Sequence, residues 1–427
     1  MYIITTIKTS EMKLILLTFF LIASTISLLA QNSTSSPYSG FGIGELEIAS
    51  GGRNAGMGQT GIALRSSLFL NTVNPASLTT IEPQGFMFDI GVYFKSTKLE
   101  NTSKSVNVND GNLSWLQIGF PITKKLFGGL TLNPKSSVGY NIYTTKTIDG
   151  TSISYPSVFE GTGGLSEAAG LLAWKVSKNI SLGAKSGVMW GNVTQTLNQE
   201  ISVSSTNYTI TQEDNIHYLG GYFNLGTQIS IPVNAKSSFV LGGTTGFSSR
   251  LNSKTSTTIT RTYGSTSEII SSDVKSSNSM KLPLDIGIGI SYLYGSKWVA
   301  TFDAKQSNWK DARIDYNPSK LTINNSFRGG LEFSPKEDTR TLRQTTKYRM
   351  GYRYETGYLK IYNNQIHEQA ISFGVGIPIR KDRSFANFSV ELGTRGTTAA
   401  HLVKEDFIKL NCSFNLWDRW FTKRKFE

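Results

Sequence analysis

The chain has 427 residues, 43 Lys and Arg against 30 Asp and Glu, a formal net charge of +13, and one cysteine, Cys412. A lone cysteine excludes an intramolecular disulfide and a cysteine-based zinc centre. The positive excess does not read as nucleic-acid binding, because the basic residues are dispersed and no nucleic-acid motif surrounds them.

At the N-terminus Lys13 precedes an apolar run from Leu14 to Ala30, broken only by Thr and Ser. Small residues at Ser24, Ser27 and Ala30 mark a cleavage point before Gln31, so residues 1–30 read as a signal peptide, with Met12 as an alternative start. The competing reading is a membrane anchor. The run is short for that, and no stop-transfer charges follow it. Cleavage removes Lys8, Lys13 and Glu11 and leaves a charge of +12. No cysteine lies near the cut to carry a lipid.

Residues 31–85 are rich in Gly, Ser and Asn and lack clean alternation. About 50 residues is too long for a tail with no role. Within them Gly56-Met57-Gly58-Gln59-Thr60-Gly61 formally matches a dinucleotide fingerprint. That reading fails, since no strand precedes the motif and no βαβ unit surrounds it. The glycines instead suit a backbone that turns tightly and packs close to a wall, with Pro75 fixing the chain after Asn74.

From residue 86 the dominant signal has period two. Ile408, Leu410, Cys412, Phe414 and Leu416 share one face against Lys409, Asn411, Ser413 and Asn415; Leu284, Ile286, Ile288 and Ile290 oppose Asp285, Gly287, Gly289 and Ser291. Each is a two-faced strand. The pattern predicts strands near 86–95, 112–121, 128–142, 162–175, 180–191, 217–231, 237–247, 282–293, 297–305, 326–333, 346–354, 369–378, 385–394 and 406–416. After the signal no apolar run is long enough for a membrane helix. The gaps between strands alternate between long (96–111, 143–161, 192–216, 248–281) and short (122–127, 176–179, 232–236, 294–296), which fits long outer loops and short periplasmic turns. The fold class is therefore all-β: a transmembrane antiparallel β-barrel of about 14 strands over residues 86–427 with an N-terminal plug, and both chain ends on the periplasmic side. Aromatics near strand ends, including Trp174, Trp190, Trp298, Trp309, Trp417 and Trp420, read either as interfacial girdles or as core aromatics.

No enzyme is expected. His217, His367 and His401 fall in no metal or nucleophile motif, and His401 with Glu405 and Asp406 is either a small acid–base cluster or a solvated loop. No metal or cofactor is called for. Placing the apolar face outward turns Arg328, Glu332, Arg349, Arg353, Glu391 and Lys409 into the lumen. This patch is either a ladder of salt bridges or a contact for an acidic headgroup, since guanidinium suits carboxylates.

The stretch Gly52-Arg53-Asn54-Ala55-Gly56-Met57-Gly58-Gln59-Thr60-Gly61-Ile62-Ala63, followed by Asn74-Pro75-Ala76-Ser77-Leu78, resembles the FadL-like outer-membrane transporters of long-chain fatty acids and hydrocarbons. The resemblance implies that residues 31–85 form a hatch inside the barrel, with Gly56, Met57, Gly58, Gly61, Asn74, Pro75 and Ala76 as its motif. The closing stretch from Phe414 to Phe421, with Lys423-Arg424-Lys425 after it, is similar to the end of a Bacteroidota branch of these barrels. Two functions stay open. One is passive uptake of a hydrophobic small molecule such as a long-chain fatty acid or hydrocarbon. The other is a non-transporting barrel serving as subunit or docking platform of an outer-membrane secretion or assembly complex. Either places the chain in a Gram-negative outer membrane, among its lipids and with other outer-membrane or periplasmic proteins as neighbours. A continuous apolar tunnel would favour the first, a packed lumen the second.

Overall fold

A computed structural model describes residues 35–151, 154–203, 206–312, 321–335, 345–380 and 383–420. The expected signal peptide lies outside the described residues. The described chain begins with a 3-10 turn, Pro37–Gly40, followed by a short strand β1 (Glu45–Leu46) and one turn of helix, α1 (Gly52–Ala55). Strands follow as β2 (Gly85–Glu100), β3 (Ser105–Pro121), β4 (Leu126–Thr147), β5 (Ser154–Lys175), β6 (Ile180–Val203), β7 (Thr206–Pro232), β8 (Ser237–Gly246), β9 (Arg250–Tyr263), β10 (Thr266–Lys281), β11 (Asp285–Tyr294) and β12 (Trp298–Asn308). The rest are β13 (Ile323–Phe333), β14 (Lys347–Glu355), β15 (Lys360–Ile361), β16 (Asn364–Gln365), β17 (Glu368–Arg380), β18 (Ser384–Gly396) and β19 (Lys404–Arg419).

Each wall strand pairs antiparallel with its neighbours, and β19 returns to β2 from Lys404↔Glu100 to Arg419↔Gly85. That pairing closes a 14-stranded barrel and leaves no membrane-level edge to satisfy. The outward face carries exposed Ile286, Ile288 and Ile290 on β11, Leu182 and Val188 on β6, and Ile408 and Leu410 on β19. A belt of bare aliphatic side chains costs free energy in water and is stable against lipid. Aromatic pairs rim it, with Trp298–Phe333 at 4.4 Å and Phe239–Tyr292 at 5.0 Å near the short turns. For two of the tryptophans the core reading holds, and they point inward. Trp309 is buried against Tyr358 at 4.7 Å, and Trp417 lies under the Arg383 guanidinium at 4.3 Å. The odd-numbered parity of β19 turns Trp417 to the lumen side.

Two further expectations change, and the wall shows one feature on which the sequence made no prediction. The stretches expected as long outer loops are largely strand: β3 starts at Ser105, β4 runs to Thr147, β6 and β7 run to Val203 and from Thr206, and 248–281 holds the hairpin β9–β10. Their Ser, Thr, Val and Ile content keeps the ladder going beyond the apolar belt. The described N-terminus also does not sit at the turn end. Ser36 donates to Glu405 at 2.6 Å and accepts from Arg395 at 2.8 Å, both near the loop ends of β19 and β18. From there the chain descends the lumen to reach β2 at the turn end, because its polar groups find partners all the way down the wall. Finally, β3 pairs with β4 only from Leu116↔Leu132 to Pro121↔Phe127. Above that level the two strands part. A register shift beside Gly91 bends β3 there, and the buried Trp115 lies across Gly91.

Candidate functional site

The lumen is built by residues 35–84 against the inner wall. Residues 51–64 are all buried. Met57 is fully buried, and Gly58 has φ +63°, where a Cβ would lie 2.6 Å from the Tyr352 carbonyl oxygen and 2.7 Å from that of Gly329. The wall answers with glycines. A Cβ on Gly330 would meet the Met57 carbonyl oxygen at 2.5 Å, and one on Gly374 would meet the Gly56 Cα at 2.9 Å. Gly61 packs against Val73 within the segment itself. Hatch and wall therefore touch backbone to backbone, a distance only glycine permits.

Polar side chains of the wall then hold the orphaned backbone groups. Asp303 accepts from the Gly61 and Ile62 amides at 2.7 and 3.0 Å, and Ser372 accepts from Gly58 at 2.9 Å. Gln228 donates to the Ile62 and Leu64 carbonyls at 3.0 and 3.2 Å. Asn74 caps the short 3-10 helix Pro75–Thr80 by accepting from Ala76 at 3.1 Å. Its amide donates to Ile62 at 2.8 Å and Thr227 at 3.0 Å, tying the hatch to β7. Pro75 and Ala76 are buried beside Gly183. Burial also lowers the pKa of Arg65, which reaches Thr79 at 3.0 Å and Ser181 at 3.2 Å.

The lumen charges fall into two groups. In the first, Glu332 is shared by Arg53 of the hatch at 2.7 Å and Arg349 of the wall at 2.7 Å, and Arg349 also donates to Asn387 at 2.7 Å. Both guanidiniums stand over the Phe69 ring, at 5.6 and 4.8 Å. In the second, nearer the loop end, Arg353 holds Glu391 at 2.8 Å and Glu368 at 2.5 Å, Arg328 holds Glu355 at 2.8 Å, and Lys409 meets Glu47 at 3.4 Å. Gln59 of the hatch donates to Glu391 at 3.2 Å. The six charges placed in the lumen by alternation thus meet carboxylate or guanidinium partners, two of which, Arg53 and Glu47, come from the N-terminal segment.

Sequence reasoning missed those partners. Arg53, Glu45, Glu47 and Arg395 sit in or beside segments without period two, so nothing marked their direction. Asp303 and Gln228 had a usable signal: each is polar on the inward parity of its strand.

Residues 36–47 form a strap across the opening between β3 and β4. Glu45↔Ser137 and Leu46↔Ser136 pair β1 to β4, Glu47 N donates to the Lys135 carbonyl at 3.0 Å, and Ser39 exchanges bonds with Gly139 at 2.9 and 3.0 Å. On the other side Glu45 pairs with Lys95 at 2.7 Å and Arg395 at 3.0 Å. Burial pushes the Tyr38 phenol up to about 12, and its hydroxyl donates to the Val403 carbonyl at 2.6 Å. Two small cavities flank the strap: one of about 40 Å³ lined by Glu47, Arg353 and Glu391, and one of about 60 Å³ lined by Tyr38, Tyr358 and Arg395.

His401 is exposed, Glu405 is buried on Arg395, and Asp406 pairs with Lys404 at 2.8 Å, so the three do not converge. Among the described residues no group of three His, Cys, Asp or Glu could hold a metal.

The fold is shared with solved hydrocarbon transporters and channels. The toluene transporter TodX of Pseudomonas putida superposes with a TM-score of 0.58 at 14% identity, over 88% of this chain and 100% of that one. A Pseudomonas aeruginosa FadL homologue gives 0.58 at 11% over 88% and 100%, and the CymD monoaromatic hydrocarbon channel 0.55 at 15% over 86% and 97%. At these identities the likeness is one of fold. No curated protein matches the sequence. The BamG family model matches residues 12–427, and the chain belongs to the BamG family.

Proposed function

We propose that this chain is a sealed outer-membrane barrel that serves as a subunit or docking platform of a secretion or assembly complex. The observation that carries the reading is the bolted hatch: backbone-level glycine packing plus the buried Arg53–Glu332–Arg349 triad join it to the wall. Opening a route would strip partners from buried charges, at about 3–5 kcal/mol for each broken pair. A ligand that binds by contact alone would have to supply that energy first. The paired Arg328, Arg349 and Arg353 support the ladder reading of the lumen patch over headgroup capture. The apolar belt supports placement in lipid, the family match is consistent with a role other than uptake, and the C-terminal stretch motivates a Bacteroidota-type branch.

The test is native mass spectrometry and lipid analysis of the protein extracted in mild detergent from its own membrane. A stoichiometric protein partner with an empty barrel is the expected result. A co-purifying fatty acid or hydrocarbon without a partner overturns it.

Passive uptake is the second reading, and the opening between β3 and β4 favours it, since among the described residues β4 there pairs with the strap and not with β3. On that reading Arg349→Gln with Arg353→Gln lowers uptake of a fatty acid in a correctly folded barrel. Unchanged uptake removes the headgroup role.

A further inference from the structure

The two ends of the barrel carry charge differently. At the loop end cations and carboxylates are mixed: Lys98 pairs with Glu100 at 2.6 Å, Arg261 with Glu268 at 2.8 Å and Lys404 with Asp406 at 2.8 Å. At the opposite end four turns are described in full, and each holds lysine and no acid. They are Ile122-Thr123-Lys124-Lys125 between β3 and β4, Val176-Ser177-Lys178-Asn179 between β5 and β6, Val233-Asn234-Ala235-Lys236 between β7 and β8, and Gly295-Ser296-Lys297 between β11 and β12. All five lysines are exposed, and among the described residues none of them forms an ion pair. Arg419, also exposed, continues the series at the end of β19. Outside the lumen the acids described at this end are Glu82, which Arg383 holds at 2.6 Å, and Asp418.

The lysines stand just beyond the apolar belt. Each is within three residues of an exposed apolar side chain, Ile122, Ile180, Val233 or Trp298. The Lys297 ammonium lies 5.8 Å from the centre of the Phe333 ring, itself packed on Trp298. A four-residue turn rises at most two residues, ~7 Å, before the chain reverses, and the polar layer outside the hydrocarbon is about 5–7 Å deep on each side. The ammonium groups are therefore at headgroup level. In wall order the series runs from β19 by way of β2 to β12, most of the way round. Successive turns are two strand spacings apart, ~10 Å, which is close to the Debye length of about 8 Å at physiological salt. Their fields merge into one positive rim.

We infer that this rim binds the phosphate headgroups of anionic phospholipids in the leaflet on the short-turn side, the periplasmic one in such barrels, and so fixes the depth of the barrel in the membrane. Lipid surrounds a barrel, as these lysines do, whereas a docked protein covers an arc of it. An ammonium is a compact point charge that suits phosphate, and basic residues next to a hydrocarbon edge draw anionic lipid to themselves. The inference needs only placement in lipid and stands apart from both the platform and the uptake readings.

The experiment uses the full chain, purified in mild detergent and reconstituted in vesicles of phosphatidylcholine and phosphatidylglycerol. Quenching of tryptophan fluorescence by brominated chains of one lipid, in competition with the other, gives relative affinity at the wall. The expected result is a preference of about fivefold for phosphatidylglycerol. It should vanish in 1 M sodium chloride and in the variant combining Lys124→Gln, Lys125→Gln, Lys178→Gln, Lys236→Gln and Lys297→Gln. Arginine at the same five positions keeps it, and so does a loop-end variant combining Lys98→Gln, Lys104→Gln, Lys146→Gln and Lys254→Gln. Heat-modifiable mobility scores the folding of each variant, and the salt titration of the parent decides the matter if the glutamine variant does not fold. No preference in the parent, a preference that survives the five glutamines, or equal loss in the loop-end variant overturns the inference. A stronger hold on lipid A than on phosphatidylglycerol overturns it too, by moving the contact to the other leaflet. A protein that co-purifies with the parent and is lost from the glutamine variant, with no lipid preference in vesicles, gives the rim to an acidic protein surface instead.

Discussion

Glu332 accepts from two guanidiniums at once, in a site with almost no water access. Replacing it by Gln leaves Arg53 and Arg349 facing an amide, and the loss should be about 3 kcal/mol or more. The fall should appear as a lower urea midpoint with an unchanged slope. An unaltered midpoint would mean that the triad is hydrated in solution. Gly58→Ala is expected to act through geometry instead: the left-handed conformation alone costs about 1–2 kcal/mol for an L side chain, and the added carbon meets two carbonyl oxygens. Trypsin cleavage after Arg53 and Arg65 should then become measurable in the folded barrel, where the parent resists. The direction of Arg328, Glu332, Arg349, Arg353, Glu391 and Lys409 was legible in the sequence, because period two assigns a side to every residue of a strand. Their partners Arg53, Glu47 and Gln59 were not, because the N-terminal segment has no period to read.

The strap behaves as a detachable strand. Its hydrogen bonds to β4 run from Ser39 to Glu47, while Lys95, Arg395 and Lys409 hold its two glutamates. Replacing Glu45 and Glu47 by Gln removes the ionic half of that grip. Hydrogen exchange at the Gly139 amide should accelerate, and the variant should conduct ions in planar bilayers where the parent is closed. Equal exchange in the two proteins would place the holding force in the backbone ladder alone. Strand positions were legible, since strict alternation of Ile, Leu and Phe with small polar residues suits a two-faced strand and no helix. Strand ends were not. Thr- and Ser-rich segments such as 192–216 look like loops by polarity yet continue the ladder by β-propensity. The parting of β3 from β4 hangs on a local bulge, which alternation does not encode.

At the level of the whole molecule, the barrel joins a lipid-facing exterior, a charged and occupied interior, and a set of strands running on beyond the belt. The sequence supported the first through its apolar parity and half of the second through the lumen charges. The third depends on which hairpins extend, and that emerges only from pairing. The same organisation predicts that a barrel of residues 85–427 expressed without the hatch folds but conducts, and that sodium chloride at 1 M does not open the intact protein, because buried pairs are screened far less than surface ones. Bilayer conductance under the two conditions is the check. Salt-induced opening of the parent would show the lumen pairs to be water-exposed.

From Ser36, near the loop end of the lumen, the described chain passes down through it and only then becomes the first strand of the wall, whose closing partner is the last strand. This path sets an order of events. The seam between β2 and β19 joins the two ends of the wall, so the N-terminal segment must already lie within the curling sheet when that seam zips shut. A wall that closes early is committed to an empty bore, and a hatch peptide added afterwards has no way back to its berth. Maturation is thus a one-way step timed by the arrival of the final strand.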